Sequence, residues 1–229
     1  MTLTQPEVEA LLLSLKVSAV AVACALPFAI LAAIALANRR FPGKFLIDGL
    51  LHMPLVLPPV VIGYLLLLAL GTRAPVGGWL FAHLGLSFVF SWTGAALACG
   101  LITFPFQVAA IRFAIESIDP RLREAAETLG AGRFDRLINL VLPLALPGIA
   151  AGAITAFAVS LGEFGAIITF VSNIPGETRT LPLAIYAALQ SPGGDAEAVR
   201  LSVLSILLAI AGLALAEAAN RRVRAVAGR

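Results

Sequence analysis

The stretch 119–143, DPRLREAAETLGAGRFDRLINLVLP, is the most polar segment lying between two long apolar ones, and its reading orients the rest of the chain. Asp119 followed by Pro120 is a helix start: a side-chain acceptor for orphan N–H groups, then a proline at the first helical position, where its missing N–H costs nothing. Gly130 ends that helix. Leu122, Ala125, Ala126 and Leu129 recur at helical spacing on one side, and Arg123 and Glu127 stand four apart on the other. The two central alanines make the apolar face flat. A second short helical stretch, Arg133 to Leu140, is expected after the glycine turn, before Pro143 opens the next apolar segment. Such a face suits a groove in another protein, where backbones must approach closely, and it suits lipid headgroups as well; the residues alone leave both open.

Composition narrows the class. Of 229 residues, 60% are hydrophobic and 13% charged, at a mean hydropathy of +0.98. A soluble domain carries roughly twice that charge, so the reading is an all-α, polytopic membrane protein. Met1 to Glu9 has no basic n-region, and the apolar run behind it is too long for a signal peptide, so it is expected to be retained. Cys24 and Cys99 sit singly in apolar runs, as small buried hydrophobes would, without disulfide or metal spacing. His52 and His83 stand far apart, and both are read as structural.

Five segments are long and apolar enough to cross a hydrocarbon core of about 30 Å. They are Val17 to Ala37, Ile47 to Leu70, Phe88 to Ile111, Val141 to about Leu161 with Val171 as the outer limit, and Val199 to Ala219. Pro27, Pro54, Pro58, Pro59, Pro105, Pro143 and Pro147 fall inside them. Prolines leave carbonyls without donors, which is tolerable only where protein or a water-lined cavity meets them, so bent helices around an internal path fit better than a simple anchor.

Basic residues supply the direction. Placing the loop at Asn38 to Lys44, the Asp119 loop and the C-terminus on one side collects Arg39, Arg40, Lys44, Arg112, Arg121, Arg123, Arg133, Arg136, Arg221, Arg222, Arg224 and Arg229, leaving Lys16, Arg73, Arg179 and Arg200 opposite. Cytoplasmic flanks are the basic ones, which predicts an outside N-terminus, five spans and a cytoplasmic C-terminus. Trp79 and Trp92 then lie near the outer ends of the second and third spans, as interfacial aromatics do.

Catalytic patterns are missing from the sequence. Gly43-Lys44 lacks the earlier glycine of a phosphate loop, and no GxSxG, HExxH or paired carboxylate is present, so any driving energy comes from a partner or an ion gradient. Glu163, in Ser160-Leu161-Gly162-Glu163-Phe164-Gly165, is an ionisable group deep in an apolar region. It either lines a pathway or holds the helix break between Gly162 and Gly165 by a hydrogen bond. Gly148, Gly152, Ala156 and Ser160 form a stripe of small residues, read first as close helix packing. Ser172 to Thr180, SNIPGETRT, is a polar loop with a Pro-Gly turn, Asn173 and Arg179.

These motifs carry a resemblance. Glu124-Ala125-Ala126, three residues, Gly130, nine residues and Leu140-Val141-Leu142-Pro143 resemble the EAA loop of ABC importer permeases, EAA-x3-G-x9-I-x-L-P, with Leu140 in place of the isoleucine. GEFGA, SNIPGETRT and LPLAIY at Leu181 to Tyr186, FPGK at Phe41 to Lys44 and MPLVLPPVVIGYLLL at Met53 to Leu67 are similar to the molybdate ABC importer permeases, with sulfate and thiosulfate permeases nearest. The resemblance implies one permease domain over 1–229 in the bacterial inner membrane, with 119–140 as a cytoplasmic coupling loop. It implies that Glu124, Ala125, Ala126, Leu129, Gly130, Leu142 and Pro143 couple to the ATPase. Implied partners are a second copy, two cytoplasmic ABC ATPase subunits that hold ATP and Mg, and a periplasmic molybdate-binding protein, with membrane lipid around them and no nucleic acid. The chain itself is expected to bind no cofactor and to hydrolyse nothing. Ser160, Glu163, Phe164 and Gly165 are candidates for the path or its gate, and Asn173 and Arg179 for the surface near the binding protein. A proton- or sodium-coupled carrier and a non-transporting membrane scaffold are the rival classes; against the carrier stand the odd span count and the single deep carboxylate.

Overall fold

The structure, a computed structural model, describes residues 3–38 and 42–227, side chains excepted at 38, 213 and 215–227. Arg39, Arg40, Phe41 and Arg229, on which part of the charge count and the FPGK match rest, lie outside the described residues, as do the side chains of Arg221, Arg222 and Arg224. Among the described residues every regular element is a helix: α1 (Gln5–Asn38), α2 (Lys44–Val56), α3 (Pro59–Leu70), α4 (Pro75–Leu84), α5 (Trp92–Glu116), α6 (Pro120–Thr128), α7 (Arg133–Arg136), a π turn (Leu137–Val141), α8 (Leu142–Leu161), α9 (Gly165–Val171), α10 (Leu181–Leu189) and α11 (Asp195–Ala227).

Local chemistry explains the punctuation. Ser91 Oγ accepts from the Gly94 N–H at 3.2 Å and starts α5. Leu57 and Pro58 each precede a proline, which drives both out of the helical region, and their ψ values are 139° and 134°. The expected single span from Ile47 to Leu70 is therefore two helices meeting at 112°. A second correction falls between Leu140 and Val141. The short stretch expected to end at Leu140 is not separate from the span behind it; α7 runs through the π turn into α8, and 133–161 is one continuous helical stretch. The Leu142 N–H reaches back five residues to the Leu137 carbonyl, so the widened turn takes up the missing N–H and the ring of Pro143.

Three stretches among the described residues are long and apolar enough to cross a membrane, Gln5–Ala37, Trp92–Glu116 and Arg133–Leu161, and the bent α2–α3 pair makes a fourth if taken as one crossing. The fifth expected span lies within α11, in the part whose side chains are only described as far as 214. Two further helices, α4 and α10, lie outside the five segments read as spans. Trp79 belongs to α4, beyond the second span, where its ring stacks on His83 at 4.9 Å. Cys99 is buried as expected, but Cys24 is exposed on α1.

Small residues set the packing. Lys16 Nζ lies 3.6 Å from the Trp92 ring centroid, while Ala29, Ala33 and Leu36 share a core with Val108, Ile111 and Ile115, so α1 and α5 run parallel. Against them α8 runs antiparallel: Cys99 Sγ donates to the Ser160 carbonyl at 3.9 Å, and Gly152 sits against Gln107. A Cβ on Gly148 would overlap Ala114 Cβ and stand 2.9 Å from the Ala110 carbonyl oxygen. The Gly148 to Ser160 stripe is thus the seam of the α5–α8 pair. At the other crossing, a Cβ on Gly63 would lie 2.7 Å from the Ala166 carbonyl, which is how closely α3 meets α9.

Candidate functional site

Two regions carry the candidate residues, and α5 and α8 join them. The first is the 119–143 corner. Asp119 accepts from the Arg121 N–H at 2.9 Å, Pro120 opens α6, and Gly130 ends the motif at φ +84°. The Ala131 N–H bonds the Ala126 carbonyl and the Gly130 N–H the Glu127 carbonyl, both at 3.0 Å, so the left-handed glycine closes the helix end.

No residue of α6 is buried. Leu122, Ala125 and Leu129 are exposed, as is Phe134 beyond the turn; Leu129 and Phe134 are 87% and 74% accessible. Ala126 is half-buried and Glu124 exposed. The apolar face read from the sequence therefore points away from the chain's own bundle. Polar groups fasten its back. Arg123 Nη2 donates to the Ile115 carbonyl on α5 at 2.8 Å, and Arg136 Nη1 donates to Glu127 at 2.6 Å across the glycine turn. Arg136 is thus the partner of Glu127, in place of the helical neighbour Arg123 suggested by spacing.

The same end of α5 is also tied to α2. Arg112 Nη1 donates to both carboxylate oxygens of Asp48, at 2.8 and 2.9 Å, and Nε to Glu116 at 2.8 Å. Sequence reading passed over this pair, although its signal was present: single opposite charges bordering two apolar runs. Arg123 thus ties α6 to α5, and α7 continues through the π turn into α8.

The second region is the break between α8 and α9. Ser160, Glu163, Phe164 and Gly165 are brought together here, with Ser160 and Glu163 buried. Glu163 Oε1 accepts from the Ala166 N–H at 2.9 Å and so caps α9. Phe164 rests against Tyr186, ring centroids 5.1 Å apart. Gly165 lets Pro59 of α3 approach; a Cβ there would stand 3.0 Å from Pro59 Cβ. Gln107 is fully buried on α5 against Gly152, about two turns of α8 before the break, and neither of its amide atoms, nor Ser160 Oγ, has a hydrogen-bond partner among the described residues. Because a glutamine oxygen keeps the cap, Glu163→Gln is expected to leave assembly intact and uptake within about threefold, whereas Glu163→Ala costs about 1 kcal/mol of stability. Assembly by size-exclusion chromatography and uptake by vesicle assay check this. Full loss of uptake by an assembled Gln variant would assign the charge to the path.

Beyond α9, the 172–180 loop is internally tied. Thr178 Oγ1 accepts from the Ile174 N–H at 2.9 Å and donates to the Ser172 carbonyl at 3.0 Å, and Arg179 Nε donates to Asn173 Oδ1 at 2.9 Å. Asn173 and Arg179 therefore sit together in a rigid loop. Behind it, Ser14 Oγ accepts from the Leu181 N–H at 2.7 Å, and Arg200 Nη2 meets Glu7 at 2.9 Å. No group of three or more metal-ligating side chains occurs among the described residues.

A helical bundle with one span broken at prolines, one exposed alanine-rich helix on a hydrogen-bonded corner, and a helix break beside a tied loop has the form of a transporter's membrane subunit. The chain belongs to the family described as binding-protein-dependent transport system inner membrane component, whose model matches residues 25–225, and it is an inner-membrane permease. Within that family it is 55% identical over 229 residues to the molybdenum transport system permease protein ModB of Escherichia coli, covering 100% of both chains. It is 49% identical over 218 residues to that of Haemophilus influenzae, covering 95% of each. The sulfate transport system permease protein CysT of Escherichia coli is 36% identical over 199 residues, 86% of this chain and 72% of that one. Among solved structures, a chain of a bacterial alginate ABC transporter in complex with an alginate pentasaccharide-bound periplasmic protein superposes with a TM-score of 0.77 at 21% identity, covering 96% of this chain and 80% of that chain. An amino acid ABC transporter with histidines gives 0.67 at 18% identity, covering 97% and 100%. These two show the fold.

Proposed function

We propose that this chain is the membrane-path subunit of an ATP-driven molybdate importer, with tungstate, of nearly the same size and charge, as an alternative cargo. Residues 1–229 act as one permease domain and 119–140 as its coupling loop. Five traversals leave the N-terminus outside and the C-terminus cytoplasmic; the parallel run of α1 and α5, with α8 returning, supports that order. Five helices are too few to enclose a hydrated path that opens alternately, so two copies each line half. Two cytoplasmic ATPases hold the ATP and Mg, and this chain binds no cofactor. A periplasmic molybdate-binding protein delivers the cargo and docks near Asn173 and Arg179.

The observation that carries the reading is the outward face of α6, backed by the Arg123–Ile115 and Arg136–Glu127 bonds. Closure of the ATPase pair moves that face; Glu124, Ala125, Ala126 and Leu129 form the contact, Gly130 sets its angle, and Leu142 and Pro143 pass the motion into α8. The break at Ser160, Glu163, Phe164 and Gly165 is the hinge of the gate. Tight binding resides in the delivery protein, because a permease that held the dianion strongly would slow its release, and only differential affinity between states moves an equilibrium.

The test is reconstitution of permease, ATPase and binding protein in proteoliposomes, following molybdate, tungstate and sulfate in turn. ATP-dependent molybdate uptake that survives a protonophore is expected. Uptake that stops with the proton gradient while ATP remains would make the chain an ion-coupled carrier.

A further inference from the structure

The seam between α5 and α8 has a fixed register. Cys99 Sγ donates to the Ser160 carbonyl, and a Cβ on Gly152 would stand 3.2 Å from the Gln107 Cα and carbonyl oxygen. Cys99, Thr103 and Gln107 thus fall on one side of α5 at four-residue spacing, opposite Ser160, Ala156 and Gly152 of α8, and all six are buried. A polar stripe meets a stripe of small residues, yet almost nothing polar crosses between them. Thr103 Oγ1 donates back to the Cys99 carbonyl of its own helix at 2.8 Å, the thiol contact is weak at 3.9 Å, and neither amide atom of Gln107 has a partner among the described residues. Gln107 is fully buried, so its amide is desolvated without compensation, and removing that amide stabilises the closed seam.

Two features let the seam move. Pro105 interrupts the α5 ladder about half a turn from Gln107, and Pro147 interrupts that of α8 about a turn and a half from Gly152. A groove of about 510 Å³ runs between the helices, from Ser117 and Asp119 beside α6 to Ala110 and Ala151, and stops about one turn short of Gln107. We propose that Gln107 sets the balance between two positions of the α5–α8 seam: its amide is buried and unpaired in this structure, and water reaches it through the lengthened groove when α8 is displaced during transport. The unpaired amide keeps the closed seam from locking, so a modest displacement of α8 parts it. A glutamine kept only for packing strength would be paired across the seam, as buried side-chain amides ordinarily are. The inference rests on the reading of the chain as a path subunit whose helices move, while its effect on stability is independent of cargo and energy source.

Gln107→Met keeps the length and unbranched shape of the side chain and removes the amide. The thermal midpoint of the full chain in detergent is expected to rise by about 4 °C. Uptake by the variant, reconstituted with ATPase and binding protein, is expected to fall by about tenfold, because opening no longer gains the hydration of the amide. Thr103→Val removes a hydroxyl already satisfied within its own helix, and it is expected to leave the midpoint no higher and uptake within about twofold. In a Cys24→Ala, Cys99→Ala background, Gln107→Cys is expected to react with a charged thiol reagent at least about tenfold faster while the complex turns over ATP than without it. A methionine variant that melts at or below the wild type, or that transports at the wild-type rate, would overturn the proposal, as would equal labelling of the cysteine variant with and without ATP. If Gln107→Met does not fold, the labelling decides alone. Wild-type uptake in the same vesicles tests the importer reading separately, since its absence leaves the comparison of midpoints to decide the role of Gln107.

Discussion

Gly130→Val is expected to leave ATP hydrolysis by the assembled complex running while uptake falls by about thirtyfold. Gly130 holds φ at +84°, in the left-handed region, and nothing lies within 4 Å of where its Cβ would stand. The penalty is therefore conformational rather than steric: about 2 kcal/mol for a bulky L-residue there, which corresponds to about thirtyfold. That strain is relieved by opening the turn, which separates Glu127 from Arg136 and lets α6 swing relative to α7. Gly130→Asn supplies the control, since asparagine adopts this conformation more readily and should keep most of the uptake. Parallel measurement of phosphate release and molybdate accumulation in proteoliposomes distinguishes the outcomes. Normal uptake by the valine variant would sink the coupling assignment.

The second large effect is expected in the seam rather than at the surface. Gly148→Leu forces a side chain into the Ala110 and Ala114 face of α5, where a Cβ alone already meets the Ala110 carbonyl at 2.9 Å. Backbone cannot yield there without separating α5 from α8, so the cost is about 3 kcal/mol or more, and the thermal midpoint in detergent should drop by about 10 °C. Gly132→Leu, at a position with nothing within 4 Å, should change the midpoint little. If the two variants melt alike, the α5–α8 contact is not what holds the bundle.

Part of this was legible along the chain because the signals are local. The α6 start at Asp119-Pro120 and its end at Gly130 follow from capping chemistry within a single turn. The small-residue stripe marked a close contact, and Gly148 and Gly152 do lie in one. At Leu57-Pro58-Pro59 the prolines announced a disturbance, but not a turn of 112°, because the angle depends on how α3 lodges against α9 through Gly63 and Gly165. The continuity of Arg133–Leu140 with the span behind it was hidden for a similar reason, because nothing local announces the π turn that joins them.

By itself the sequence determined that the chain is a helical membrane protein, where the polar corner begins and ends, and which of its faces is apolar, since each depends on periodicity, caps and charge within a few residues. Only the tertiary structure decided that this face is turned outward, that Arg136 rather than Arg123 holds Glu127, that Asp48 is bound to Arg112, and that Glu163 caps α9. Hydrogen bonds and ion pairs of this kind join residues on different helices, and which groups come within 3 Å is settled by how the helices cross, a property of the whole bundle that no local stretch encodes.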